Sequence, residues 1–369
     1  MRVLHVYKDF YPVLGGIENQ LMLLTRELSR LPGMEVETLV TNTGSRTIVE
    51  DFGRVRVTKA GRIATVASTP ISLALFREVR RRRYDIIHLH FPYPLGEIAS
   101  LLRGRARRIV ITYHSDVVRQ KLILRFYHRL LLRVLSRADA IIASSPNYIE
   151  TSQYLPRFRE KCHVIPFGVD VSFFRPGTGT EPVPDVLKAY LPPFVLFVGK
   201  FRYYKGLHYL VEALRHIPVG TLVLVGTGPE ESALRSQVSR LGLDSRVAFV
   251  GHVGEPLLPS FYQASRVFVL PSCERAEAFG VVQLEAMACG LPVVSTEIGT
   301  GTSYVNVNDE TGLVVPPSDP AALAQAINRL LENETLRRAM SRAARNQVEL
   351  RFTKERMVES TASLYKRIL

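Results

Sequence analysis

Two carboxylates and a glycine stand at a spacing that suits a nucleotide. Glu277 lies in a loop after the strand-like run Val267–Leu270, Gly280 follows it, and Glu285 falls on a helical segment ending near Gly290. A glycine at a helix start lets backbone N–H groups approach a phosphate closely, and the helix dipole favours the negative charge. Gly280, opening the helix, would present that backbone. Glu285, one to two turns along the helix, is placed to accept both hydroxyls of a ribose. Glu277, ahead of the helix, is placed to hold a sugar beyond the phosphates. The same spacing also fits two surface carboxylates flanking a packed helix, so context must separate the readings.

The elements that carry these residues follow a repeating pattern. Residues 2–7 read as a buried strand, followed by a loop with Gly15 and Gly16 and a helical pattern through Leu21, Leu24 and Leu28. Strand-like runs recur at Val36–Val40, Ile86–Leu89, Ile109–Tyr113, Ala140–Ala143 and His163–Pro166, with helical segments between several of them. Such alternation predicts βαβ units and a mostly parallel sheet. Between Gly168 and Pro193 the pattern breaks at Pro176, Gly177, Gly179, Pro182, Pro184, Pro192 and Pro193, which reads as an interdomain linker. It restarts with strands at Phe194–Val198, Leu222–Val225, Val247–Val250, Val267–Leu270 and Pro292–Ser295, then helices over 320–332, 334–349 and about 354–367. The expected architecture is α/β, with two doubly wound domains and a ligand cleft facing the carboxyl ends of both sheets.

Composition narrows the class. At roughly 150 residues per domain, 369 residues suit two domains, and 46% hydrophobic with 22% charged residues is a globular mixture. Cys162, Cys273 and Cys289 have neither metal-ligand spacing nor an even count, which suits a reducing compartment. No apolar run approaches the roughly 18–20 residues that span a bilayer, and the N-terminal run is too short for a signal-peptide core. A soluble cytoplasmic chain is expected. Of the net charge of +14, residues 1–180 carry +13, with 28 basic and 15 acidic residues. One half of the chain is therefore expected to face a polyanion, either nucleic acid or an anionic membrane.

Glu277 through Glu285, continued by Ala286, Met287, Ala288, Cys289, Gly290, Leu291 and Pro292, resembles the signature of retaining glycosyltransferases of family 4, whose fold is GT-B. Other segments match that family in its order. They are Gly15–Glu18, Tyr113–Asp116, Val164–Asp170, Phe197–Arg202 with Lys205 and Gly206, Val225–Pro229, Phe249–Val253 and Thr311–Val315. The resemblance implies two Rossmann-like domains facing a central cleft. An acceptor-side domain would span 1–175 with a C-terminal helix at 354–369, and a donor-binding domain 190–350. It implies catalytic roles for His114 and Glu277, with Gly16, Lys200, Arg202, Lys205, Val253, Phe279, Gly280, Val281 and Glu285 binding the donor. Asp116 and Arg119 are candidates for touching donor or acceptor. One departure stands out: the family's Gly-Arg phosphate loop reads Gly199-Lys200 here, so the arginine fork is lost and Arg202 is the residue that could replace it.

No Asp-x-Asp occurs, and no His, Cys or carboxylate cluster has metal-site spacing in the sequence. Cationic side chains and a helix N-terminus would neutralise the diphosphate instead, so metal-independent transfer with no cofactor is expected. The expected function is transfer of a hexose, first mannose from GDP-mannose, to a lipid-linked or glycan acceptor in surface polysaccharide synthesis. Segments 114–121 and 144–152 look like bacterial mannosyl- or rhamnosyltransferases. A UDP-hexose is the alternative donor, and an epimerase or phosphorylase on the same fold the alternative activity. A dinucleotide oxidoreductase is disfavoured because no Gly-x-Gly-x-x-Gly follows the first strand. A nucleic-acid-binding module lacks a recognition motif, so no nucleic-acid partner is expected.

Residues 101–137 hold ten basic residues against one acid, Asp116. Lys121, Arg125, Arg129, Arg133 and Arg137 recur every fourth residue, forming one stripe on a helix beside Leu122, Ile123, Phe126, Leu130, Leu131 and Val134. A solvated helix face usually mixes signs. The expectation is contact with an anionic membrane surface at the inner face of the cytoplasmic membrane.

Overall fold

The computed structural model describes residues 1–13, 15–66, 69–116, 121–178 and 182–369, with residues 103 and 121–126 described by their helical backbone only. The chain divides into two compact units, Met1–Gly168 with Lys354–Leu369, and Val169–Thr353. The division falls at Gly168 rather than near 175. Val169 donates its N–H to Phe352 O at 2.9 Å, which holds the segment after Gly168 within the second unit.

In the first unit the strands are β1 (Arg2–Val6), β2 (Glu35–Thr41), β3 (Ile48–Phe52), β4 (Val55–Ala60), β5 (Ala64–Val66), β6 (Thr69–Ile71), β7 (Tyr84–Phe91), β8 (Ala106–Tyr113), β9 (Ala140–Ala143) and β10 (Cys162–Val164). Its helices are α1 (Gly16–Leu28), α2 (Ala74–Glu78), α3 (Pro94–Arg103), α4 (Lys121–Arg137) and α5 (Pro146–Thr151). Among the described residues the main sheet runs β10-β9-β8-β7-β1-β2-β4-β3. Only β3, at its edge, is antiparallel to its neighbour. The β3–β4 hairpin was not expected from the sequence. On β3, Ile48 and Val49 are exposed and charges follow at Glu50 and Asp51, so that strand shows no buried alternation and reads as an edge. In contrast, β4 buries Val55 and Val57 in alternation with polar residues. The central strands are largely buried on both faces, as a parallel sheet covered by helices requires. Ile86, Ile87, Val110 and Ile111 are fully buried.

In the second unit the strands are β11 (Phe194–Val198), β12 (Thr221–Val225), β13 (Val247–Gly251), β14 (Val267–Leu270), β15 (Val293–Thr296) and β16 (Gly312–Val315). Its helices are α6 (Leu207–Ala213), α7 (Glu231–Arg240), α8 (Leu258–Ala264), α9 (Val281–Ala288), α10 (Thr302–Val305), α11 (Pro320–Glu332) and α12 (Glu334–Arg351). The sheet is parallel throughout, in the order β13-β12-β11-β14-β15-β16. Strand order reverses between β11 and β14. Asp319 and Asn333 cap α11 and α12 by accepting the N–H groups of Ala322 and Leu336, which sets the sharp boundary between the two helices.

The last helix, α13 (Lys354–Ile368), belongs to the first unit and packs against α1. It buries Met357, Val358, Ala362, Leu364 and Tyr365 on one stripe. No helix among the described residues is long and apolar enough to cross a membrane.

Candidate active site

The reversal of strand order between β11 and β14 opens a crevice at their carboxyl ends, where doubly wound sheets hold ligands. Two loops leave the sheet there, one from Gly199 to Gly206 and the other from Pro271 to Gly280. They touch at Gly206, whose φ is +67° and where an added Cβ would lie 2.0 Å from Pro271 O. Only glycine permits that approach. Cys273 N–H donates to Tyr204 O at 2.8 Å and ties the loops a second time.

Between them lies a buried ion pair. Lys205 Nζ donates to Glu277 Oε2, and each residue is 9% exposed. Ser272 Oγ donates to the same carboxylate oxygen at 3.4 Å, and Thr300 Oγ1 donates to the Glu277 carbonyl at 2.8 Å. Burial alone would lower the Lys205 pKa. Attraction to Glu277, aided by Tyr204, outweighs it and holds the ammonium above its ordinary value.

Gly280 caps α9 in the left-handed region at φ +76°. An added Cβ there would meet Leu270 Cδ2 and Gln283 Nε2 at 2.6 Å. Gln283 is fully buried and donates from Nε2 to Phe279 O at 3.2 Å, bracing the turn into the helix. One turn on, Glu285 Oε2 accepts the Tyr262 hydroxyl at 2.6 Å. Burial pushes the Glu285 carboxyl up to about 7, partly offset by that hydrogen bond. Tyr262, on α8, carried no signal in the sequence beyond a helical apolar position.

The expected donor-side residues thus separate into groups. Lys205, Glu277, Phe279 and Gly280 lie on the two touching loops, with Val281 as the first residue of α9. Glu285 sits apart, against Tyr262. Lys200 and Arg202 are exposed on the Lys205 loop, and Val253 is half-buried just beyond β13. Gly16, the first residue of α1, is exposed in the other unit, where an added Cβ would meet nothing within 4 Å.

In the first unit, His114 follows the carboxyl end of β8 and is 3% exposed. It stacks on Phe167 at 5.5 Å between ring centroids. Its Nε2 meets His90 Nδ1 at 3.0 Å, and its buried Nδ1 has no partner among the described residues. His90 in turn meets His5, and His5 and His88 stand side by side on β1 and β7. Ligand atoms of His5, His88 and His90 all lie within 4.8 Å of one another, a cluster that linear spacing could not reveal. The sign to look for was His88-Leu89-His90 on one strand, which puts both imidazoles on one face. The His88 and His90 rings stack at 19°, so their in-plane lone pairs run side by side rather than converging on one ion, and their nitrogens are taken by hydrogen bonds. Asp116 Oδ1 accepts the Tyr113 hydroxyl at 2.7 Å and Ser152 Oγ at 2.8 Å, a bracing role at the end of β8.

On α4, Arg129, Arg133 and Arg137 are exposed while Tyr127, Leu131, Val134 and Leu135 are buried. Arg119 and Gly179 lie outside the described residues, as do the side chains of Lys121, Leu122, Ile123, Arg125 and Phe126.

Comparison with known proteins identifies the arrangement. Residues 14–173 match the family model Glycosyltransferase Family 4, and residues 185–347 match Glycosyl transferases group 1. A D-rhamnosyltransferase of Pseudomonas aeruginosa is 40% identical, over 96% of this chain and 92% of its own. O-antigen chain mannosyltransferase C of Escherichia coli is 37% identical, over 100% of this chain and 99% of its own. Among solved structures, sucrose-phosphate synthase of Thermosynechococcus elongatus is similar with a TM-score of 0.82 and 27% identity, covering 100% of this chain and 98% of that one. An Anabaena protein solved with UDP and glucose shares the fold with a TM-score of 0.79 at 22% identity, covering 100% of both chains.

The buried pair makes a direct prediction. Removing either charge leaves the other buried alone, at a cost of about 3–5 kcal/mol, whereas removing both leaves none. Lys205→Met and Glu277→Gln are each expected to destabilise the full chain in urea, and the double variant by less than the sum. Additive effects in that cycle would show that the two side chains do not depend on each other.

Proposed function

The chain belongs to glycosyltransferase family 4 and has its GT-B fold, and within that family we propose transfer of mannose from GDP-mannose to a lipid-linked or glycan acceptor in surface polysaccharide synthesis. A UDP-hexose is the alternative donor. The observation that carries this reading is the Lys205–Glu277 pair, set between two loops at the reversal of strand order and leading into the Gly280 turn. The similarity to a mannosyltransferase of O-antigen synthesis and to a D-rhamnosyltransferase supports the sugar class.

In this reading the pair is a pre-charged cradle. Departure of the nucleoside diphosphate builds negative charge on its terminal phosphate. Lys205, the exposed Lys200 and Arg202, and the N–H groups at the start of α9 are the donors within the unit that can meet it. Because Glu277 keeps Lys205 charged despite burial, no reorganisation is needed to create the cation. The Glu277 carboxylate in turn has lone pairs left to orient a sugar hydroxyl and to favour oxocarbenium character at the reacting carbon. We propose transfer with retention, in which the leaving diphosphate oxygen takes the acceptor proton on the same face of the sugar. No metal is required in this scheme. GDP is expected to raise the melting temperature more than UDP, and turnover with GDP-mannose is expected to survive EDTA. Glu277→Ala should cut kcat by roughly 10–100-fold, the worth of a hydrogen bond to a charged group. Preference for UDP, or wild-type turnover in that variant, would overturn these assignments.

Glu285 supplies the ribose contact in this proposal. Its ionised form accepts two hydroxyls, and the protonated form accepts fewer. With its pKa near 7, nucleotide affinity should rise through pH 6–7 and level off above about 8. Below the pKa the loss grows by up to roughly tenfold per pH unit, down to the floor set by the weaker binding of the protonated form. Titration calorimetry of GDP across pH 5.5–8.5 checks this, and Glu285→Gln should flatten the profile.

We further propose that the chain works at the inner face of the cytoplasmic membrane, bound through α4. Arg129, Arg133 and Arg137 project from a helix whose opposite side is buried, which supports a basic face left for an anionic partner. Each cation near an anionic leaflet contributes about 1 kcal/mol, enough for reversible binding when several engage. Sedimentation with anionic vesicles should exceed that with neutral ones and fall with salt. Charge reversal at Arg129 and Arg133 should abolish the difference, and unchanged binding would reject this face.

A further inference from the structure

The first unit contains a buried string of hydrogen-bonding groups that the transfer scheme does not use. Thr112 Oγ1 meets His88 Nε2 at 2.6 Å, and His88 Nδ1 meets Tyr365 Oη at 2.5 Å. Tyr365 Oη lies 3.5 Å from His5 Nε2, and His5 Nδ1 meets His90 Nε2 at 3.0 Å. His90 Nδ1 then meets His114 Nε2, also at 3.0 Å. The string starts on β8, crosses β7 to α13, returns through β1 and β7, and ends just past β8. All six side chains are at most 5% exposed.

Burial holds every one of these imidazoles below its ordinary pKa, His90 at about 3, and holds the Tyr365 phenol well above its own. At neutral pH each histidine therefore carries a single N–H and each hydroxyl a single proton. A neutral imidazole that donates at one nitrogen must accept at the other. With every link made the string has three arrangements: all groups donate toward Thr112, all donate away from it, or Tyr365 accepts from both His88 and His5. The third leaves the Tyr365 proton without an acceptor among the described residues and His114 Nδ1 as a bare lone pair.

If every group donates toward Thr112, the Thr112 hydroxyl accepts from His88 and its own proton has no acceptor among the described residues. His114 Nδ1 is then left as a bare lone pair, so two buried groups go unsatisfied. If every group donates away from Thr112, the threonine proton goes to His88 Nε2. The remaining protons then pass along His88 Nδ1, Tyr365 Oη, His5 Nδ1 and His90 Nδ1 to His114 Nε2. Only one group is left over, the Nδ1–H of His114. Buried polar groups are almost always satisfied, so the second arrangement prevails.

We propose that Thr112, His88, Tyr365, His5 and His90 are positioning residues that lock His114 in its Nδ1–H tautomer, leaving that N–H as a preset donor for an oxygen of the bound substrate. The identity of that oxygen as a sugar hydroxyl rests on the glycosyl-transfer reading; the tautomer does not. All four histidines should share the Nδ1–H form, the minority form of free histidine. Tyr365, contributed by the C-terminal helix, is the joint between the two halves of the string. Its 3.5 Å contact to His5 is the longest link, and so the place where polarity is most readily lost.

The test is long-range proton–nitrogen NMR of the full-length protein labelled with 15N-histidine. The wild type is expected to show Nδ1–H at His5, His88, His90 and His114. Tyr365→Phe removes the joint and makes the two polarities of the His5–His90–His114 segment equivalent, so His114 should become a mixture of tautomers. Thr112→Val, which deletes the terminal proton source with little change of shape, should do the same. With about half the molecules in the wrong tautomer, kcat/KM should fall about two-fold. An Nε2–H or mixed His114 in the wild type, or an unchanged tautomer in both variants, overturns the proposal. Four Nδ1–H histidines in a protein that transfers no sugar from any nucleotide donor would support the string and overturn only the transfer reading.

Discussion

A buried ammonium and a buried carboxylate tolerate burial only together, and the second unit is arranged around that constraint. Lys205 comes from the loop after β11 and Glu277 from the loop after β14, strands adjacent in the sheet but far apart in the chain. Their partnership fixes how closely the loops approach, which forces glycine at 206. It also fixes where the second loop turns into α9, and so where Gly280, Gln283 and Glu285 fall. A displaced strand or a slipped register would separate the charges and leave each unsolvated, so the pair specifies the local fold as much as it serves a ligand.

The first unit meets the same problem without charge. Behind His114 its interior holds a string of neutral imidazoles and hydroxyls, each linked to the next. Neutral groups avoid the desolvation penalty of ions, but they must be satisfied in sequence, and a single missing proton propagates along the string. Through Tyr365 this string ties α13 to the unit that contains β1. Without Tyr365, buried nitrogens on both His5 and His88 would lose a partner.

What could be read in advance follows from whether the signal is local. The strand and helix pattern, the boundaries of α11, and the glycine-to-glutamate spacing around Gly280 depend on neighbours a few residues away, and the sequence displays them. Membership of the glycosyltransferase family follows from those same segments and is supported by relatives along nearly the whole chain. The Lys205–Glu277 contact spans 72 residues and the His88–Tyr365 contact 277, and no periodicity encodes such meetings. His5 and His88 lie on strands 83 residues apart in the chain, and only the parallel register sets them side by side. β3 escaped for a different reason, since an exposed, charged edge lacks the apolar alternation that marks a buried strand, an alternation that β4 does show at Val55 and Val57.

The lysine that stands where the family usually has arginine becomes intelligible beside the buried pair. A guanidinium at position 200 would offer a fork and a permanent charge, whereas an ammonium offers a point charge on a flexible stem. Lys200 and Arg202 are both exposed, so neither carries the desolvation that makes a cation's position costly to change. Lys205 does carry it, and Glu277 holds both its charge and its place. The fixed cation of the loop is therefore the buried one, and the exposed pair can exchange roles at small cost. The geometric constraint on this loop falls on Lys205, the residue that the second loop clamps, and the exposed Lys200 adds none of comparable cost.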